Sequence, residues 1–368
     1  LSIDSRLQEK LYQSIKSLAL ERGFSGGAAV ILDVKTGELL SLVSYPQYDP
    51  NIITRGTDRE TIARLLTDPN KPFLDRAVSG LYTPGSIIKP IIAIGALNEK
   101  IIDPETQILS TGSISLPNPF FPDQPSIFPD WKAHGLVDMR RGLAVSSNVY
   151  FYEIGGGFEN QAGLGIGKID KYAHLFGLGE STGINWPSEE TGNIPTPDWK
   201  AENFPADLQW RIGDTYHTAI GQYGFQVTPL QMARISAAIS TDGALVTPTI
   251  LTASTTPIYQ PGRNLSSLIS PATFKIVREG MRLAVTEGTA QRLNTPVVAI
   301  AAKTGTAELG LTKAKVNSWV MGFFPYDAPR YAFAVVMERV PREDTARAAL
   351  VIRELIDWLS VNASEYFL

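Results

Sequence analysis

The sequence predicts an α+β fold in which one antiparallel sheet is built from both chain ends and flanked by helices. Apolar, strand-like runs lie near both ends, at residues 24–45 and 297–340. Between them, from about residue 60 to about residue 290, the patterns are mainly helical or irregular, without strand–helix alternation. Hydrophobic residues make up 43% of the 368 residues and charged residues 19%, enough for a large packed core. We therefore expect one domain over residues 1–368, with a mostly helical insertion at about 60–290.

The first elements are a helix and a hairpin. Leu7–Leu20 has apolar residues at helical spacing and follows Asp4, a plausible N-cap. Gly27–Asp33 and Glu38–Ser44 are apolar runs separated by a short turn that ends in glycine, which is typical of a β-hairpin. Both arms are almost continuously apolar, so the hairpin is expected in a sheet with at least one covered face.

The remaining chain divides into helical, irregular and strand-like segments. Helices are predicted at Ser86–Asn98, Val137–Tyr152, Thr228–Ile239, Ser270–Val285 and Thr345–Leu359. Irregular structure is predicted at Asp103–Asp130, Gly155–Gly167 and Pro187–Asp207. Strands are predicted at Val297–Ala302, Ser318–Phe324 and Tyr331–Glu338.

Composition excludes several classes of function. The formal net charge is −4 and no dense basic run occurs, so nucleic acid is not an expected partner. The chain has no cysteine, which removes disulfides, thiolate catalysis and cysteine-based zinc sites. No apolar run approaches the roughly 20 residues needed to span a bilayer. The chain opens with Leu1 and reads as a piece of a longer protein.

The stretch YTPGSIIKP places Ser86 and Lys89 three residues apart at an expected helix start. Residues at this spacing share a helix face, so the hydroxyl and the amine can approach each other. A serine hydroxyl needs a base to become a good nucleophile, and a lysine becomes one when apolar surroundings lower its pKa. The free N–H groups of the helix start favour developing negative charge near Ser86.

Two further motifs follow in a defined order. Ser146-Ser147-Asn148 lies 60 residues after Ser86, and Lys303-Thr304-Gly305-Thr306 lies 157 residues after Ser146. The order Ser-x-x-Lys, Ser-x-Asn, Lys-Thr-Gly matches the serine penicillin-recognising enzymes. Most of the chain resembles the transpeptidase domain of class B penicillin-binding proteins, most closely the elongation type, penicillin-binding protein 2. The resemblance is carried by AAVILDVKTGELLSLVSYPQYDPN, LDRAVSGLYTPGSIIKP, HGLVDMRRGLAVSSNVYFYEIG, FGLGESTGINWPSEETGNIP, GDTYHTAIGQYGFQVTPLQMA and AAKTGTAE.

This resemblance implies a serine acyl-enzyme mechanism on peptidoglycan stem peptides. Ser86 would attack the carbonyl between two terminal D-alanines, with Lys89 as its general base. Ser146 would relay a proton between Lys89 and the leaving nitrogen. The backbone N–H groups of Ser86 and Thr306 would form the oxyanion hole. β-Lactams would acylate the same serine.

The resemblance also implies the substrate-binding residues. Asn148 would hold the substrate's backbone amide, and Lys303 would supply positive potential. The hydroxyls of Thr304 and Thr306 would bind the terminal carboxylate, and Gly305 would leave room for substrate beside the strand. No metal and no organic cofactor is expected.

Partners and location follow from the same resemblance. Expected partners are peptidoglycan stem peptides, β-lactams, a polymerising glycosyltransferase and other proteins of the elongation machinery that determines cell shape. Relatives of this type usually carry an N-terminal membrane anchor and a pedestal domain before the catalytic domain, and we expect neither within these 368 residues. The catalytic domain is then expected on the periplasmic side of the bacterial inner membrane.

Other functions remain open on the same fold. A D,D-carboxypeptidase or a β-lactamase would use the same acyl-enzyme, although no glutamate or carbamylated lysine is identifiable as a deacylating base. A β-lactam or muropeptide sensor would acylate without cross-linking.

Several weaker signals carry structural interpretations. The glycine-rich AGLGIGK lacks the context of a phosphate loop. Asp214 is expected in a structural turn, and His134, near Asp123 and Asp130, in a loop hydrogen bond rather than a metal site. Trp131, Trp210 and Trp319 either line a substrate groove or pack against other side chains.

Overall fold

A five-stranded antiparallel sheet organises the molecule. The computed structural model describes residues 1–118, 121, 123–252, 262–310, 314–342 and 348–367. The sheet strands are β1 (Gly26–Asp33), β2 (Leu39–Tyr45), β9 (Ala301–Leu309), β10 (Lys315–Phe324) and β11 (Tyr331–Pro341). Their order across the sheet is β2-β1-β11-β10-β9. The shorter strands are β3 (Ile108–Ser110), β4 (Ser113–Leu116), β5 (Ser126–Pro129), β6 (Gly135–Val137), β7 (Ala244–Leu245) and β8 (Arg263–Asn264). Strands from both chain ends therefore meet in one sheet, and the predicted α+β fold is confirmed.

Helices cover both faces of this sheet. They are α1 (Ser5–Arg22), α2 (Pro50–Arg55), α3 (Arg59–Thr67), α4 (Lys89–Asn98), α5 (Met139–Val145), α6 (Asn148–Gly156), α7 (Ile166–Leu175), α8 (Pro197–Asn203), α9 (Ile212–Ala219), α10 (Pro229–Ser240), α11 (Pro271–Thr286) and α12 (Ala349–Asn362). Short 3₁₀ helices lie at Gly85–Ile88, Gln291–Leu293 and Ser364–Phe367. No helix within the described residues combines the length and apolar character needed to cross a bilayer.

Strand β1 shows why the sheet is covered on both sides. Its alternate side chains enter two different cores, with Ala28 and Val30 on one face and Ala29 and Ile31 on the other. Helices α1 and α12 pack on the second face, and α10 packs on the first. A strand buried on both faces has to be apolar throughout, which explains the continuous apolar run in the sequence.

Helix ends follow local sequence signals. Helix α1 begins after Asp4, whose side chain accepts the Arg6 N–H, and ends at Gly23 with a left-handed backbone. Helix α10 begins with Thr228 and Gln231 in a reciprocal capping box, and all its residues are buried. The predicted helix at Thr228–Ile239 is confirmed as α10, which begins and ends one residue later than predicted.

Four predicted segments differ from the structure. The predicted irregular segment Pro187–Asp207 contains helix α8, which begins after the N-cap Thr196. The predicted helix Val137–Tyr152 is two helices, α5 and α6, interrupted at Ser146. The predicted irregular segment Asp103–Asp130 contains strands β3, β4 and β5, although part of it lies outside the described residues. The last predicted strand before the Lys-Thr-Gly motif begins at Ala301 and continues through that motif. In the predicted helix Thr345–Leu359, residues 345–347 lie outside the described residues.

Candidate active site

The nucleophile candidate Ser86 lies in the 3₁₀ turn Gly85–Ile88, just before α4. The Lys89 backbone N–H donates to the Ser86 carbonyl, and the side chain of Ser86 is half-buried. Gly85 has φ +56°, and a Cβ there would lie 2.8 Å from the Thr306 carbonyl oxygen. Only glycine allows this conformation at such close approach, so the turn is seated directly against β9.

Lys89 is fully buried and faces the turn between α5 and α6. Its Nζ donates to the Ser146 carbonyl and to Asn148 Oδ1, both at 2.8 Å, and to Ser146 Oγ and the Ser147 carbonyl, both at 3.3 Å. Among the described hydrogen bonds, none joins Lys89 Nζ to Ser86 Oγ. The sequence correctly placed both groups at one turn, while the predicted contact between hydroxyl and amine is not formed in this resting arrangement.

The environment of Lys89 favours the neutral amine. Burial lowers the pKa of Lys89 to about 7, and the negative charge of Asp130 opposes that shift. A lysine with a pKa near neutrality exists partly as a free amine and can accept a proton from a serine hydroxyl.

Ser146 lies between two buried lysines. Its hydroxyl receives a 2.8 Å hydrogen bond from Lys303 Nζ in addition to the Lys89 contact. Burial lowers the pKa of Lys303 well below its ordinary value, and the charge of Lys89 lowers it further. Two ammonium groups side by side in an apolar interior repel each other, which disfavours the state in which both lysines are charged. The Ser146 hydroxyl therefore connects two proton-carrying groups.

Strand β9 presents the remaining motif at the edge of the sheet. Thr304 Oγ1 donates to Thr289 Oγ1 at 2.7 Å, and the side chain of Thr306 is exposed. A Cβ at Gly305 would lie 2.8 Å from the Pro84 carbonyl oxygen, so this glycine lets β9 pack against the nucleophile turn. That Gly305 also leaves room for substrate stays a prediction.

Asp130 is a site residue that the sequence did not single out. Its side chain is fully buried, and Oδ2 accepts from Ser147 Oγ at 2.7 Å and from the Val149 N–H at 3.0 Å. Burial by itself raises the pKa of Asp130, but hydrogen bonds from Asn148, Val149 and Ser147 and the charge of Lys89 bring it below its ordinary value. Asp130 precedes Ser147 by 17 residues, so no local spacing links them.

The weaker candidates take structural positions. Asp214 lies in the first turn of α9 and not in a loop turn as predicted; its carboxylate accepts the Arg211 N–H and binds Lys200 Nζ, both at 2.8 Å. Trp319 is buried, and its indole N–H donates to the Thr83 carbonyl at 3.0 Å behind the nucleophile turn. Trp210 donates to Thr215 Oγ1.

His134 makes a loop hydrogen bond through its backbone, whose N–H donates to the Ser110 carbonyl at 3.0 Å. Its ring Nε2 lies 3.7 Å from Asp130 Oδ1, beyond hydrogen-bond distance. Trp131 is more than half exposed, contacts the His134 ring, and donates to the Val145 carbonyl at 3.1 Å. Across the described ranges, no group of three or more histidine, aspartate or glutamate side chains is placed to hold a metal ion.

This fold, with a serine at a helix start, a buried lysine of lowered pKa and a second serine–lysine pair, defines the class of serine penicillin-recognising proteins. The chain belongs to the penicillin binding protein transpeptidase domain family, whose model matches residues 27–357. This finding confirms the resemblance seen in the motifs.

Relatives of known name are similar over most of this chain. It is 34% identical over 332 residues to the peptidoglycan D,D-transpeptidase MrdA of Acinetobacter baumannii, covering 85% of this chain and 48% of the relative. It is 31% identical over 355 residues to MrdA of Escherichia coli K12, covering 90% of this chain and 54% of the relative. The chain thus spans about half the length of these curated relatives.

Solved structures show the same fold. PBP2 of Pseudomonas aeruginosa in complex with WCK 5153 has a TM-score of 0.84 at 29% identity, covering 98% of this chain and 75% of that one. PBP2 of Helicobacter pylori in complex with MreC has a TM-score of 0.81 at 28% identity, covering 97% of this chain and 63% of that one. The elongation-type resemblance is therefore supported by both sequence and structure.

Proposed function

We propose that this chain is the catalytic domain of a peptidoglycan D,D-transpeptidase that works through an acyl-enzyme at Ser86. The observation that carries the proposal is the shared hydrogen bonding of Lys89 and Lys303 to the single hydroxyl of Ser146. This arrangement provides a base for the nucleophile and a route by which its proton reaches a leaving group.

Acylation begins when Lys89, as the neutral amine, turns from its Ser146 contacts and accepts the Ser86 hydroxyl proton. Ser86 Oγ forms a bond to the carbonyl carbon of the D-alanyl-D-alanine amide. The backbone N–H groups of Ser86 and Thr306 stabilise the oxyanion. Contact between the Gly85 turn and the Thr306 backbone supports this role, because it brings the two segments together.

Collapse of the tetrahedral intermediate breaks the carbon–nitrogen bond. The proton held by Lys89 passes through Ser146 to the departing nitrogen, and D-alanine leaves. An amine of a second stem peptide then attacks the Ser86 ester, loses a proton to the same relay, and forms the cross-link. Ser86 recovers its proton, so the cycle needs no metal and no cofactor.

Substrate binding is assigned to the side chains that surround this relay. Lys303 gives positive potential beside β9, and the hydroxyls of Thr304 and Thr306 receive the terminal carboxylate. Asn148 holds the substrate amide with its side-chain amide while its Oδ1 accepts from Lys89. Gly305, between the two threonines, allows β9 to lie close to the Pro84 carbonyl.

Acylation by benzylpenicillin tests the proposal. We expect one added inhibitor per chain by intact-mass analysis, located by peptide mapping on the peptide that contains Ser86. Ser86→Ala should take up none, while Ser79→Ala, a hydroxyl loss on an exposed contact with Ser188, should be acylated normally. A chain that takes up no penicillin, or takes it up on another residue, would show the assignment to be wrong.

A second assay separates the transpeptidase from other activities of the same fold. A lipid-linked donor with an acceptor amine should yield cross-linked product together with released D-alanine. D-Alanine release without cross-linking would indicate a D,D-carboxypeptidase. Rapid repeated turnover of nitrocefin would indicate a β-lactamase, and acylation with neither product would indicate a sensor.

Partners and location are part of the proposal. Similarity to a PBP2 solved with MreC and to a chain in a peptidoglycan synthase complex supports action within an elongation complex containing a glycosyltransferase. We place the catalytic domain on the periplasmic side of the inner membrane, where it would meet its stem-peptide substrates.

A further inference from the structure

We propose that Asp130 is a positioning residue that holds the Ser146–Asn148 turn in its working conformation and supplies the counter-charge for Lys89. The inference rests on the proposed function, because its effect is expressed through acylation of Ser86. Asp130 acts through Ser147 and the start of α6, and does not itself touch the reacting atoms.

The first support is the number of hydrogen bonds that converge on this one carboxylate. Oδ2 accepts from Ser147 Oγ at 2.7 Å, Val149 N–H at 3.0 Å and Ser110 Oγ at 3.3 Å. Oδ1 accepts from the Trp131 N–H at 2.8 Å. A fully buried carboxylate that receives donors on both oxygens is fixed in place and is ionised at neutral pH.

The second support is the backbone that this carboxylate restrains. Ser146 has φ +59° and ψ +39°, a left-handed conformation that is unfavourable for a serine. That conformation directs the Ser146 carbonyl to Lys89 Nζ at 2.8 Å and its hydroxyl to Lys303. The neighbouring residue, Ser147, is the N-cap of α6 and donates its own hydroxyl proton to Asp130. Asp130 therefore stabilises the strained backbone of Ser146 through its hydrogen bonds to the residues that follow it, Ser147 and Val149.

The third support is charge balance. Lys89 and Lys303 are both fully buried and share Ser146. In the part of the chain that the structure describes, Asp130 is the carboxylate whose charge acts on Lys89. The other titratable groups around Lys89 are Lys303 on β9 and His134 beside Asp130. Burial lowers the pKa of His134, which favours its neutral form.

Removing the charge at Asp130 should change both rate and pH dependence. In Asp130→Asn, the side-chain NH₂ group faces another hydrogen-bond donor in either orientation of the amide. In one orientation it meets the Trp131 N–H, and in the other it meets the Ser147 hydroxyl and the Val149 N–H. We expect the first-order acylation rate by a fluorescent penicillin to fall about tenfold or more. Without the negative charge of the carboxylate, the pKa of Lys89 falls. The rise of the acylation rate with pH should therefore occur at a pH lower by about half a unit or more.

Two matched variants separate position from charge. Ser147→Ala keeps the Asp130 charge and loses the hydroxyl that links it to the turn, so its rate should fall about fivefold or more while the acidic limb stays in place. Asp123→Asn removes the same charge from an exposed position in the same loop region and should match the unmodified chain in rate and profile. Rates are normalised to the fraction of chains that acylate stoichiometrically, which removes the effect of unfolded protein.

Each outcome decides a separate point. If the unmodified chain is not acylated at Ser86, the proposed function fails, and this inference fails with it. If that chain is acylated but Asp130→Asn retains its rate and pH profile, only the positioning role is overturned. Should Asp130→Asn not fold, a normal rate in Ser147→Ala overturns it. Loss of acylation by the unmodified chain after dialysis against EDTA would also overturn it, because Asp130 would then act through a metal.

Discussion

At the scale of single residues, the active site depends on two lysines buried on either side of one serine hydroxyl. Lys89 and Lys303 both lose solvation, and the nearby charge of Asp130 offsets this loss only for Lys89. With a pKa near neutrality, Lys89 is suited to proton transfer. Lys303 donates to the Thr304 carbonyl at 2.9 Å, and its part in substrate binding stays a proposal.

The Lys89 pKa of about 7 predicts the pH dependence of acylation. A lysine is a base only after it loses its proton, so the rate should rise by about tenfold per pH unit below pH 7 and level off above it. Stopped-flow measurement with a fluorescent penicillin, from about pH 5.5 to about pH 8.5, checks this.

Lys89→Arg provides the control for that profile. A guanidinium stays protonated throughout this range, so the variant should be slower by about a hundredfold or more and should show no rise near pH 7. A profile for the unmodified chain that is flat or falls with rising pH would contradict Lys89 as the base.

At the scale of elements, local patterns predicted most helices and strands but not where they are interrupted. The helical period over Val137–Tyr152 continues through Ser146, yet α5 ends there because Lys89 and Lys303 fix the turn from other parts of the chain. The motif residues were identified because their types and order are distinctive. Asp130 was not, because its contacts with Ser147 depend on folding rather than on spacing.

The turn before α4 depends on a second glycine, at Gly221. The Gly85 N–H donates to the Gly221 carbonyl at 2.9 Å, and a Cβ at Gly221 would lie 2.3 Å from the Gly85 carbonyl oxygen. Gly221→Ala must therefore displace the turn that carries Ser86. We expect acylation to fall about tenfold or more and the free energy of unfolding to fall by about 1–3 kcal/mol, measured by penicillin binding and urea denaturation.

Gly23→Ala is a matched control for this prediction. Gly23 has the same φ of +73° as Gly221, at the end of α1, but a Cβ there would meet no atom within 4 Å. This variant should lose about 1 kcal/mol of stability from backbone strain and should acylate at the normal rate. Equal acylation rates in the two alanine variants would show that the close approach at Gly221 does not position Ser86.

At the scale of the whole molecule, the site exists because the sheet and the helical region are held together behind Ser86. The three motifs come from a 3₁₀ turn, an interhelical turn and an edge strand. Sequence order alone gives no distances between them, and family resemblance supplied the expectation that they converge. The contacts that enforce convergence are long-range and include a buried ion pair between Arg76 and Glu338 on β11.

This ion pair links β11 to the segment that leads into the nucleophile turn. Arg76 Nε lies 3.0 Å from Glu338 Oε1, and the two side chains are 3% and 11% exposed. Tyr82 donates its hydroxyl to the same carboxylate, and its ring contacts Trp319, whose indole binds the Thr83 carbonyl. Arg76 therefore connects the sheet to the backbone three residues before Ser86.

Breaking this pair on one side should destabilise the whole domain. Arg76→Met leaves Glu338 buried without its cation, and we expect the free energy of unfolding to fall by about 3–5 kcal/mol in urea denaturation. Glu354→Gln, which removes the partly exposed partner of Lys10, should change it by less than about 1 kcal/mol. The double variant Arg76→Met with Glu338→Gln should lose less than the sum of its single variants, because no uncompensated charge is left. Additive losses would mean that the two side chains stabilise the domain independently, and that Arg76 does not hold the nucleophile turn to the sheet through Glu338.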